Sequence, residues 1–265
     1  MNRSVAFLDV LGFKQLVNST SAEELGLAYT AASNNLGRLI RPLMEPGKEP
    51  TFFPSRDLEK PYCIKHTFSD SIILVSHDDT EQSALELLIY TLRVVQTLMV
   101  QKFLVRGGVS FGDMYINIKD AIFVGKALTE AWELEEKQEW AGVTINNNLE
   151  SKFPSIFNGT RNFGDILNCL FPKYSVPMKS GAIEELYTIN WRWNLFVKNG
   201  TKVLFPNASD WATKRKVDNS LTYAKKMRDS GLAYPKNAND APIEVRAYYI
   251  SDGPPPWTSS HGDEY

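Results

Sequence analysis

Cysteine and histidine are scarce in this chain, with two cysteines (Cys63 and Cys169) and three histidines (His66, His77 and His261) in 265 residues. Two cysteines so far apart form neither a disulfide framework nor a zinc-ligand spacing, and such usage fits a reducing compartment. Three scattered histidines exclude a His-rich metal centre. An excess of one charge is missing as well. The formal net charge is -2 at pH 7, which gives no long-range attraction to DNA, RNA or anionic lipid, so neither nucleic acid nor membrane is an expected partner. No run approaches the roughly 18 apolar residues of a membrane span. The N-terminus passes directly into a strand-like run, unlike a secretory leader. The expectation is a cytoplasmic protein. What is present is an ordinary globular composition, 43% hydrophobic and 23% charged, with enough length to bury a sizeable core.

The apolar pattern organises the rest. Val5-Ala6-Phe7-Leu8-Asp9-Val10 reads as a strand. Residues 15–41 carry loosely helical apolar positions, interrupted at Ser19-Thr20-Ser21-Ala22-Glu23-Glu24, where a fresh N-cap is expected. Five prolines from Pro42 to Pro61 mark a long loop. Residues 62–77 pattern as a hairpin with its turn at Ser69-Asp70. Residues 81–101 form the clearest helix, with Ala84, Leu85, Leu88, Leu92, Val95 and Met99 along one stripe. A strand over 103–111 containing Gly107-Gly108, a short hairpin over 114–124, a helix over 126–139 and a strand over 141–145 follow. Beyond Asn146 the pattern weakens. Residues 155–178 are mixed, 183–197 are strand-like, 212–230 form a basic helix and 243–250 a closing strand. The expected architecture is α+β over residues 1–250, an antiparallel-rich sheet with helices packed on one face. A loop insertion at about 42–61 and a flexible tail over 251–265 complete it.

Asp9 and Asp70 carry the chemical signal. Each stands at the edge of an apolar strand, where an unpaired carboxylate is costly. If their strands are neighbours, the two make a site for hard divalent cations. Taken singly, Asp9 caps the following helix and Asp70 makes an Asx-type turn. Arg106, inside an apolar strand, needs an anionic partner if buried, either a phosphate or a structural carboxylate such as Asp113. Strand alternation puts Tyr62, Ile64, His66 and Phe68 on one face. His66 is then either a core histidine bonded to a backbone carbonyl or a donor–acceptor pair for a base edge. The Lys214-Arg215-Lys216 run reads as a solvated face, and Trp132 and Trp140 as packing residues.

In order along the chain, these motifs resemble those of the class III nucleotidyl cyclases. Phe7-Leu8-Asp9-Val10-Leu11-Gly12-Phe13 matches that family's Phe-x-Asp-x-x-Gly-Phe strand end. Ser69-Asp70 occupies the hairpin turn of its second metal aspartate. Arg106-Gly107-Gly108-Val109-Ser110-Phe111-Gly112 keeps the Arg, the first Gly and the last Gly of Arg-x-Gly-x-x-x-Gly. Phe123-Val124-Gly125 matches the aromatic-apolar-Gly that opens a helix. The resemblance spans about residues 4–145. It departs where bases are chosen: His66 stands in place of the Lys or Glu of purine cyclases, and Ile122 in place of their second selector. Thr129 and Glu133 stand where the family has a transition-state Asn and Arg. Those departures suit the bacterial pyrimidine cyclases of anti-phage (Pycsar) signalling.

The resemblance implies a head-to-tail homodimer with shared sites that closes UTP to 3′,5′-cyclic UMP. The product would act as a second messenger for a separate cyclic-nucleotide-sensing effector. CTP or a purine as substrate, or a degenerate module that binds nucleotide without turnover, are the alternatives. It further implies two Mg²⁺ or Mn²⁺ ions on Asp9, Asp70 and the Val10 carbonyl, with triphosphate contacts from Leu11, Gly12, Phe13 and Arg106. Tyr62 and His66 would hold the base. Thr129 would donate to the phosphorane, and Lys126 and Lys198 are candidate cations for its charge.

Overall fold

The computed structural model describes residues 1–34, 63–159, 164–193 and 211–232. The expected loop at 42–61, the strand at 243–250 and the tail at 251–265 lie outside the described residues, as do Tyr62 and Lys198. The first strand, β1 (Asn2–Val10), is followed by two helices, α1 (Phe13–Ser19) and α2 (Ala22–Asn34). Their break is a capping box at Ser21: the Glu24 N–H donates to the Ser21 hydroxyl at 3.2 Å, and the Glu24 carboxylate accepts from the Ser21 N–H at 3.1 Å. A hairpin, β2 (Ile64–Phe68) and β3 (Ser71–Val75), leads into α3 (Glu81–Val100). Next come β4 (Val105–Asp113), the ribbon β5 (Tyr115–Asn117) and β6 (Ile122–Val124), α4 (Lys126–Lys137) and β7 (Val143–Ile145). The short helices α5 (Asn147–Lys152) and α6 (Gly164–Leu170) precede the hairpin β8 (Lys173–Pro177) and β9 (Ile183–Ile189), and α7 (Trp211–Asp229) follows.

Seven strands form one sheet in the order β2-β3-β1-β4-β7-β9-β8. Every pair is antiparallel except β4 with β7, which is parallel. The architecture is α+β. Strand β8 lies in the stretch that sequence leaves mixed, and β9 ends at Ile189, short of Val197.

Helices cover both faces of the sheet rather than one. Along β1, Ala6, Leu8 and Val10 share a core cluster with Leu85, Leu88 and Leu92 of α3. Val5, on the opposite face by strand alternation, packs with Val75, Met114 and Ala127 of α4. The uninterrupted run Val5-Ala6-Phe7-Leu8 has this cause, because a strand covered on both faces is apolar at successive positions. Helix α3 is long and apolar enough to cross a bilayer, yet 83% of that stretch is buried within the fold. It is the central core helix. A Thr80 hydroxyl accepting from the Ser83 N–H at 3.2 Å starts it.

Helix α4 approaches the sheet closely because β4 has no side chain at Gly108. A Cβ there would lie 2.2 Å from the Ala131 carbonyl oxygen. That close approach sets how near α4 comes to the end of β1.

Candidate active site

Asp9 is the penultimate residue of β1. It pairs with Ser71 of β3 on one side and with Arg106 of β4 on the other. Ser69 takes a left-handed φ of 56° in the β2–β3 turn. Beside it, the Asp70 carbonyl accepts from the Val10 N–H at 3.0 Å. The turn is thereby fastened to the end of β1, with both aspartates at the same end of neighbouring strands. In a strand the N–H and C=O of one residue point the same way, so the Val10 carbonyl also faces the Asp70 turn. Gly12, with φ 74°, is the residue that caps α1; Asp9 is not. The helix-cap reading of Asp9 is corrected accordingly.

Electrostatics set Asp9 apart from an ordinary carboxylate. Half-buried Asp9 is raised from 3.8 to about 6, first by burial, then by Glu135 and by Asp70, while Arg106 and Lys216 pull it down. Two of those neighbours, Glu135 and Lys216, stand outside the motifs that sequence singles out. Tyr29 of α2 is another: its phenol is raised by burial and then by Asp70 and Asp9. Lys216 belongs to the basic run expected to be a solvated face. Only Lys214 of that run is exposed. Arg215 forms an ion pair with Glu139, Asn219 donates to the Glu139 carbonyl at 2.6 Å, and the Ser220 hydroxyl accepts from the Ala141 N–H at 2.7 Å. These contacts seat α7 on the segment just before β7, and the half-buried Lys216 is held where its charge reaches Asp9.

The oxygen-only donor set of Asp9, Asp70 and the Val10 carbonyl fits hard divalent cations, and a cation would relieve the repulsion that raises Asp9. Among the described residues no cluster of three or more His, Cys, Asp or Glu side chains could hold a metal ion. Two carboxylates leave the remaining coordination positions to phosphate oxygens and water.

Several expected contacts take another form. Arg106 is buried, at 7% exposure. It forms an ion pair with Glu135 and donates to the Gln138 carbonyl at 3.1 Å. Its carboxylate partner is Glu135 rather than Asp113, which instead holds the N-terminal amine at 2.9 Å. The Leu11 amide donates to the Leu104 carbonyl at 2.8 Å, so it is spent on the backbone and not on a triphosphate. Gly12 is exposed and Phe13 half-buried at the corner beyond Asp9.

Thr129 is exposed on α4, its hydroxyl turned back to the Gly125 carbonyl at 3.3 Å. The buried face of α4 (Ala127, Ala131, Leu134 and Glu135) is the one on the sheet. Thr129 therefore points away from the Asp9 of its own chain. Lys126 pairs with Glu130 at 3.5 Å.

His66 shares a sheet face with Asp9, through the pairings His66–Ile73 and Phe7–Ile73. It stacks on Phe123 of β6, with ring centroids 5.0 Å apart and planes 24° from parallel. No hydrogen bond to its ring occurs among the described residues. Phe68, on the same face and two residues nearer the turn, is 75% exposed.

No family model matches the sequence, and no curated protein matches it. Solved structures similar to it include a guanylyl cyclase domain from Blastocladiella emersonii described as a non-canonical dimer (15% identity, TM-score 0.44, 71% of this chain and 93% of that one). Another is the guanylate cyclase domain of RhGC from Catenaria anguillulae in complex with GTP (14% identity, TM-score 0.40, 71% and 96%). A third is the adenylyl cyclase CyaB from P. aeruginosa (13% identity, TM-score 0.42, 71% and 93%). At these scores the likeness is one of overall shape and assigns no residue a role.

Proposed function

We propose that the chain is a metal-dependent nucleotide cyclase that joins the ribose 3′-oxygen of a nucleoside triphosphate to its α-phosphorus and expels pyrophosphate. The observation that carries this reading is the fastening of the Asp70 turn to the end of β1, which puts two carboxylates and the Val10 carbonyl at one corner of the sheet. Bound there, Mg²⁺ or Mn²⁺ ions would acidify the 3′-hydroxyl and neutralise the leaving pyrophosphate. The chain's own residues do the remainder. Asp9 and Asp70 orient the reacting groups, Gly12 and Phe13 border the triphosphate, and Lys216 supplies the positive charge that the Thr129 and Glu133 positions lack.

The base lies on the face of His66, whose ring offers one donor and one acceptor. With Phe123 behind it and no hydrogen bond to either nitrogen among the described residues, the ring edge can meet a pyrimidine. UTP is the favoured substrate and CTP the nearest rival. The product fits a diffusible messenger read by a separate effector, as in anti-phage signalling.

Thr129 faces outward on α4, beside the half-exposed Trp132 and near the exposed apolar ribbon residues Ile122 and Val124. If it serves a site, that site belongs to a second copy of the chain. That orientation supports a head-to-tail homodimer with shared sites.

Incubation of the purified chain with each of four nucleoside triphosphates and Mn²⁺, with products identified by mass, tests the proposal. Cyclic UMP that disappears in Asp9→Asn and Asp70→Asn supports it. Only linear nucleotides from every substrate would overturn it.

A further inference from the structure

Tyr29 is the buried polar group near this site that the reading above leaves without a task. Helix α2 carries it, and Leu25, Ala28 and Ala32 anchor that helix in the core shared with α3. The ring packs against the same core, and the hydroxyl is buried with no hydrogen-bond partner among the described residues. A buried hydroxyl without a partner is costly, and such groups in native proteins are exceptions that ask for a reason.

The charged groups whose field reaches Tyr29 are Asp70 and then Asp9, and together with burial they keep its proton on. The phenol is a permanent donor within the electrostatic reach of two carboxylates, with no hydrogen bond to either. Its position also matters. Helix α2 packs with α3, whereas His66 and Phe123 belong to the α4 face. Tyr29 thus approaches this end of the sheet from the flank opposite the base.

We propose that Tyr29 is a substrate-binding residue whose hydroxyl donates a hydrogen bond to a phosphate oxygen of the nucleotide held at Asp9 and Asp70. This rests on the cyclase reading above and adds to it a contact from a helix that carries none of the cyclase-like motifs. It assigns the α2 flank to the phosphates and the α4 flank to the base.

The test is Tyr29→Phe in the full chain, which keeps the ring and removes only the hydroxyl. Calorimetry with Mn²⁺ plus inorganic tripolyphosphate should show binding weakened about fivefold to tenfold. Affinity for Mn²⁺ alone should be unchanged. The melting temperature without ligand should be equal or higher, because an unsatisfied buried hydroxyl has gone. Unchanged tripolyphosphate affinity, an equal loss for Mn²⁺ alone, or a lower melting temperature would each overturn the assignment while leaving the cyclase reading intact. Failure of the unaltered chain to bind Mn²⁺ and tripolyphosphate would overturn both.

Discussion

Asp9→Asn removes one charge from the corner where β1, the Asp70 turn and β4 meet, and its effect should reverse with conditions. Burial, Glu135 and Asp70 raise Asp9 from 3.8 to about 6 in the folded chain. For an acid held above its unfolded value the sign is clear. Below about pH 3.8 it is protonated in both states and contributes nothing. As pH rises from about 3.8 to about 6 the unfolded chain loses this proton while the fold holds it, so stability falls across that window, and above about 7 the full cost is present. Discounted for the half-exposed position of the side chain, that cost is about 1–2 kcal/mol. Asparagine has the same shape and no charge to lose. Without divalent ions, the variant should therefore melt about 3–6 °C above the unaltered chain at pH 8 and at the same temperature at pH 4. Millimolar Mn²⁺ should stabilise the unaltered chain and leave the variant unmoved. Scanning calorimetry in EDTA and in Mn²⁺ across pH 4–8 measures both. The same advantage at pH 4 and pH 8, or an equal response to Mn²⁺, would refute the assignment of Asp9 as a strained, cation-seeking carboxylate.

Lys216→Met keeps the buried stem and removes the charge; turnover of the preferred triphosphate should fall at least tenfold with the melting temperature within about 2 °C, as judged by steady-state kinetics beside calorimetry. Arg106→Met leaves Glu135 buried and uncompensated, which should destabilise the chain by about 3–5 kcal/mol in urea unfolding; a loss of activity at unchanged stability would instead return Arg106 to substrate binding. Gly108→Ala drives a methyl group into the Ala131 carbonyl and should cost about 1–3 kcal/mol, visible as a lowered melting temperature. His66→Ala should narrow the ratio of UTP to CTP turnover in competition assays read by mass, with stability held because the ring is half-exposed on an edge strand.

What could be read from the sequence was local. The aspartates were legible because each marks the end of an apolar run, and a hairpin beside a first strand has few ways to pair. The α2 cap was legible because Ser21 and Glu24 stand three residues apart. What escaped depends on contacts between distant segments. Lys216 looks like solvated charge until Arg215 finds Glu139 and Ser220 finds Ala141, 76 and 79 residues away. The partner of Arg106 escaped because Glu135 comes from a helix 29 residues on. Asp113 is nearer in sequence but stands at the far end of the same strand. Strand alternation excludes a meeting on geometry alone: seven positions at about 3.3 Å each separate the two by more than 20 Å.

The Arg106–Glu135 pair also bears on the cation site proposed at Asp9 and Asp70. An arginine opposite Asp9 would by itself hold that carboxylate low and compete with any metal for it. Glu135 takes both Nε and Nη2 of Arg106, and the Gln138 carbonyl takes Nη1. Glu135 then outranks Arg106 among the influences on Asp9. The guanidinium is thus matched within the fold, and Asp9 feels the charge of Asp70 with Lys216 as a partial counterweight. A buried pair of this kind adds little net stability over apolar packing. Its consequence here is that the guanidinium is committed to Glu135 rather than to Asp9. The small residues at Gly108 and Ala131 let α4 come close enough for Glu135 to reach Arg106 at all. In that way a packing feature of β4 sets the charge balance at the end of β1.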